Sequence, residues 1–167
     1  MNGPRAARGL GILHIAIFPH NNEASAQAFL LALRAKGYHP RVVVTDLRQD
    51  YGPVLAQVFP QAEHHECIFH ALQNVQEYIK GVYGDDYAQT HPEAEALKQS
   101  IYAILDAQTR RTARHRYAAI LALREEYVQA LPAATAIFAF LERHWPKLVN
   151  AIESDLVPTT NSPVSGF

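Results

Sequence analysis

The chain has 167 residues, 49% of them hydrophobic, which is enough for one sizeable core with a helical annex. Its 15 Lys plus Arg against 16 Asp plus Glu leave a formal net charge of −1, so nothing global draws it to nucleic acid and any DNA contact must come from a local patch. A single cysteine excludes an internal disulfide framework, no apolar run reaches the length of a membrane span, and the opening MNGPRAARGLGILHIAIFPH is too weakly patterned for a signal peptide; the expectation is a soluble cytoplasmic protein.

In chain order, Gly11 to Phe18 (GILHIAIF) is apolar and β-branched enough for a buried strand. Asn21 and Asn22 then offer a helix cap. EASAQAFLLALRAKG predicts an amphipathic helix with Phe29, Leu30 and Leu33 as its apolar stripe and Gly37 as its stop. After the connection Tyr38-His39-Pro40, Arg41 to Thr45 predicts a second buried strand. Strand, helix, strand at this spacing is a βαβ unit, so these two strands are expected as parallel neighbours. A helix over residues 49–58 ended by Pro60, a short strand over 62–66 and a helix from Ile68 follow. Beyond them, residues 93–106, 110–130 and 133–152 show helical spacing and no strand signal. Leu97, Ile101, Ile104 and Leu105 make one apolar face; Phe138, Leu141, Trp145, Leu148 and Ile152 make another. The segment GDDYAQTHPEAE reads as a separating loop, and the tail DLVPTTNSPVSGF as a loose end. The expected organisation is an α/β core over 11–80, helices over 81–155 and a tail over 156–167.

Two features of this layout suggest chemistry. Asp46 follows an apolar strand, and in open α/β sheets ligands gather beyond the carboxyl ends of strands. The competing reading is a turn or helix-capping acid, a role that Asp50 suits better. Some twenty residues on stand His64, His65, Cys67 and His70. A structural zinc site wants four ligands, usually in two spaced pairs, and there is no second cysteine. The reading favoured over zinc is a buried, small apolar Cys67 with His70 as a hydrogen bonder at a helix start. Strand alternation places His64 and Glu66 on one face, His65 and Cys67 on the other.

The ordered run from Thr45 to His70, T-D-x-x-x-x-Y-x-x-x-L-x-x-x-F-P-x-A-x-H-x-x-C-x-x-H, resembles the core of DDE-type transposases of the Mutator-like group. So do the helices from Glu93 to Ile152, Trp145 before their end, and the segment Pro158-Thr159-Thr160-Asn161. The resemblance spans nearly the whole chain. It implies a ribonuclease H-like fold with a partial sheet and an all-helical insertion, and an activity of DNA strand cleavage and transfer by two-metal phosphoryl transfer with Mg2+. It makes Asp46 the second of three catalytic acids and a metal ligand, and places Cys67 and His70 as support beside it. Two departures stand against that pattern. No Asp precedes Asp46, and Ser165 occupies the place expected for the catalytic Glu, where a hydroxyl is a poor ligand for a hard cation. The resemblance therefore implies a transposase catalytic domain cut short at both ends and inactive alone. The alternative is a non-enzymatic DNA- or protein-binding remnant.

The implied partner is DNA at transposon ends. RRTARHRY brings Arg110, Arg111, Arg114 and Arg116 into one helical stretch, a candidate phosphate-contacting stripe where an ordinary solvated face is the competing reading. Trp145 could stack on a base, but its spacing with Phe138 and Leu141 favours the core. The open sheet edge near Gly11 invites self-association.

Overall fold

The computed structural model describes His20 and residues 22–154. The predicted strand over Gly11–Phe18 and the tail with Asn161 and Ser165 lie outside the described residues.

Helix α1 (Glu23–Ala35) starts where the sequence says it should: the Asn22 side chain accepts the Ser25 N–H at 3.0 Å, satisfying one of the first-turn donors that have no intrahelical partner. It stops at Gly37, whose φ of +80° is the left-handed backbone that favours glycine. Strand β1 (Val42–Thr45) follows, then helix α2 (Tyr51–Val58) and strand β2 (Glu63–Glu66). The two strands pair in parallel, Val42 opposite Glu63 through Thr45 opposite Glu66, with α2 as the crossover. Leu30 of α1 packs with Val54, Leu55 and Val58 of α2 and with Phe59, and Val43 covers them from the sheet. Alternating strand and helix around a small parallel sheet makes this part α/β, while most of the chain is helical.

Helix α3 (Ile68–Tyr83) leads into α4 (Tyr87–Thr90), α5 (Pro92–Leu105), α6 (Arg110–Ala122), α7 (Arg124–Ala130) and α8 (Ala134–Ala151). The core of this bundle is made by Leu97, Ile101, Ile104, Phe138, Leu141 and Leu148, all within 1% of full burial. Ala71, Val75 and Ile79 of α3 join the same cluster, so the packing runs continuously across residue 80.

Two expectations are refined. The stretch over 110–130 is helical as expected but is broken at one residue. At Leu123 ψ is 6°, and the Leu123 N–H returns to the carbonyl of Ile120 at 3.1 Å, a tightened last turn that separates α6 from α7. No Gly or Pro marks the spot, and α7 packs Tyr127 and Val128 on the core. GDDYAQTHPEAE is not a plain loop. It contains α4 and the first turn of α5, and Tyr87 is 3% exposed, its hydroxyl accepting a hydrogen bond from Lys98 Nζ at 2.6 Å.

Candidate functional site at the strand tips

Because β1 and β2 are parallel, their carboxyl ends lie together, Asp46 directly after one and Cys67 directly after the other. Residues opposite each other in the ladder share a face, so Val43, Thr45, His64 and Glu66 line one side of the sheet. The alternation expected for His64 and Glu66 is what the register shows.

Asp46 opens on a cavity of about 510 Å3 between α1, β1 and α2, lined by Ser25, Phe29, Val43, Thr45 and Tyr51 among others. One carboxylate oxygen, Oδ1, accepts the Arg48 N–H at 3.2 Å and so steadies the turn after the strand. Asp50 stands at the N-cap position of α2, but its side chain makes no capping bond; it is bound instead by the Arg48 guanidinium. That hydrogen bond lowers the Asp50 carboxyl below its ordinary range and raises the Arg48 guanidinium further. Tyr51 is pushed up, first by burial and then by the charge of Asp46.

Thr45 links the two strand tips. Its hydroxyl lies 2.7 Å from the Asp46 carbonyl oxygen and 2.8 Å from His64 Nε2. A hydroxyl has one hydrogen, and the carbonyl can only accept it, so His64 Nε2 must carry the proton that Thr45 Oγ1 accepts. The resulting chain, from His64 through Thr45 to the Asp46 carbonyl, fixes the backbone that presents Asp46. It requires a proton on Nε2, and the surroundings favour the neutral ring that carries it there. Burial, then the charge of Lys147, pushes His64 down from its ordinary 6.5 to about 4.

A stability prediction follows. Between pH 6.5 and about 4 the unfolded chain binds a proton at His64 that the folded chain refuses, so stability falls as pH drops through this window and levels off below it. For this half-buried ring, screened by solvent, about 1–2 kcal/mol is expected. Urea unfolding at pH 7 and pH 4.5, for the parent and for His64→Gln, checks it. The pH-dependent loss should shrink in the variant, and an equal loss in both would remove His64 as its source.

Glu66, the last residue of β2, is 1% exposed. One carboxylate oxygen accepts His144 Nδ1–H at 2.6 Å and the other accepts Lys147 Nζ at 3.2 Å. Both partners come from α8, one turn apart, so the far end of the helical part is tied to the strand tips through one buried carboxylate. Sequence reasoning missed this cluster. A glutamate at the end of a strand carries no local sign of burial, and its partners lie far away in the chain.

Cys67 and His70 do not converge on a common site. Cys67 is buried and caps α3, its Sγ accepting the His70 backbone N–H at 3.5 Å, while the His70 imidazole is exposed against the edge of Phe69. Among the described residues no three His, Cys, Asp or Glu side chains gather as a metal site would need. Asp46 is a single carboxylate, Asp50 is engaged by Arg48, and Glu66 is enclosed by α8; these residues do not fit a two-ion centre by themselves.

A family model described as "Transposase, Mutator family" matches residues 7–154. The chain belongs to the Mutator transposase family. No curated protein and no solved structure matches it. In this Mutator-family chain the four arginines of α6 divide into two kinds. Arg110 donates from its guanidinium to the carbonyls of Ile152 and Asn150, both at 2.9 Å, closing the end of α8, and Arg116 donates to the carbonyl of Ala103. Arg111 and Arg114 are exposed, with no partner among the described residues. Trp145 is half-buried and stacks on Tyr117 at 4.1 Å with 15° between the rings, so one face of the indole is covered. Among the described residues no helix is long and apolar enough to cross a membrane.

Proposed function

We propose that this chain is part of a transposase catalytic domain of ribonuclease H-like design, acting in DNA strand cleavage and transfer, with Asp46 as one carboxylate of the reacting centre. The observation that carries the reading is Asp46 itself: an acid at the carboxyl tip of a parallel strand, opening on a cleft, in a Mutator-family chain. Transposon-end DNA is the proposed partner. The exposed Arg111 and Arg114 would hold its phosphates, with Arg110 and Arg116 contributing whatever donors their carbonyl bonds leave free. Magnesium is the metal such centres use, and Asp46 is the residue placed to bind it. One carboxylate cannot fix two ions, so the chain alone is proposed to be inactive, with Cys67 and the α3 start ordering the backbone behind Asp46.

That same ligand count favours a second reading, a DNA- or protein-binding chain with no chemistry of its own. Anisotropy titrations of labelled duplex DNA at several salt concentrations test both. The parent is expected to bind weakly, and Arg111→Ala/Arg114→Ala should reduce the salt slope by about two units, near one for each phosphate no longer neutralised. With magnesium added, no strand scission is expected. Scission abolished by Asp46→Asn would overturn the inactivity, and no DNA binding by the parent would overturn the DNA reading.

A further inference from the structure

Lys147 is a cation that α8 sends to the strand-tip end of the sheet while retaining solvent access. Its Nζ bonds to Glu66, the residue opposite Thr45 in the ladder, and Asp46 follows Thr45 directly. It also rests on the first turn of α2: a side chain at Gly52 would place its Cβ 3.5 Å from the ammonium. Tyr51, the neighbour of Gly52, lines the cleft with Asp46. From Asp46 the path across the surface therefore runs through Tyr51 and Gly52 to Lys147.

The surroundings hold this ammonium in place without using it up. Glu66 is 1% exposed and already receives His144 Nδ1–H on its other oxygen, so the carboxylate cannot swing away to follow the lysine. The Lys147 side chain keeps 35% of its surface in solvent, and an ammonium has three hydrogens, of which Glu66 takes one. A long flexible side chain ordinarily loses much rotamer freedom on binding a phosphate; here that freedom is already restricted before any ligand arrives. Charge also matters on this face, because Asp46 and Asp50 would repel a polyanion, and Arg48 is bound to Asp50.

We propose that Lys147 is a phosphate-contacting residue of the strand-tip face, through which the helical part helps hold the DNA backbone beside Asp46, and that Glu66 is the positioning residue that aims it. This rests on the DNA reading above and adds a contact that lies outside the arginine stretch.

The test uses the whole chain and a labelled DNA duplex. Lys147→Met should lower the salt slope of binding by about one unit, Lys147→Arg should keep it, and Glu66→Gln should lower it with Lys147 still present. Where a variant unfolds, the parent answers alone. The chain has four lysines, Lys36, Lys80, Lys98 and Lys147, so reductive methylation with and without DNA, read by mass spectrometry, resolves each. DNA should slow the modification of Lys147 several-fold and leave Lys36 and Lys80 unchanged. A parent that binds DNA with an unaltered slope in Lys147→Met, or with Lys147 unprotected, overturns this inference and leaves the DNA reading standing. A parent that binds no DNA overturns both.

Discussion

Replacing Glu66 with Ala is expected to destabilise the chain by about 2–4 kcal/mol, among the largest effects of any single polar substitution in it. Breaking a buried ion pair by removing one member usually costs about 3–5 kcal/mol, because the other charge is left enclosed without compensation. Here Lys147 is part-exposed and can turn to water, which lowers the figure, whereas the Nδ1–H of His144, 6% exposed, would lose its acceptor without water to replace it. Glu66→Gln keeps the shape and one acceptor, so about half that loss is expected. Urea unfolding followed by far-UV circular dichroism measures both, and a cycle with Lys147→Met separates the lysine from the histidine. A loss under about 0.5 kcal/mol for Glu66→Ala would mean that α8 is held to β2 by apolar packing alone.

Phe138→Ala is expected to cost about 3–5 kcal/mol, the range for emptying a fully packed aromatic site. Phe138 is 0% exposed, its ring centroid lies 6.3 Å from that of Tyr127, and the Arg124 guanidinium carbon sits 5.7 Å from the ring centre. Its cluster joins α3 to α5 and α8, so the damage should reach every helix in the bundle at once. Trp145, the only tryptophan, reports on the α6–α8 contact through its stack on Tyr117. Its fluorescence and the helical circular dichroism should therefore lose their signals at one common, lower urea concentration. Two separate transitions, or a loss below about 1.5 kcal/mol, would show that the bundle is less continuous than the buried cluster suggests.

The chemistry at the strand tips has two different origins in the chain. Asp46 and Thr45 arise from neighbours in sequence, while His144 and Lys147, the partners of Glu66 behind them, arrive on α8. This division explains the split among the arginines. Arg110 and Arg116 sit where α6 meets α8 and α5, and carbonyls left unsatisfied at those contacts capture their guanidinium groups. Arg111 and Arg114, on the outer side, meet no such acceptor among the described residues.

What the residues determined by themselves were the features that depend on near neighbours. Asn22 as a cap, Gly37 as a stop, the stripe of Phe29, Leu30 and Leu33, and the buried faces of α5 and α8 all follow from spacings of a few residues, and all are found. The strand over 62–66 was legible from its place between Pro60 and a helix, and the Asp46 position from the strand before it. Tertiary structure decided the rest. Glu66 and His144 stand 78 residues apart, and no local pattern announces that a strand-end glutamate will meet a helix from the far end of the chain. The proton on His64 Nε2 depends on which hydroxyl the β1–β2 register brings beside it. The break at Leu123 has no Gly or Pro to signal it, and beyond it Tyr127 and Val128 pack on the core. Burial of a charge and choice of tautomer are set by the sum of distant contacts, and those exist only once the chain has folded.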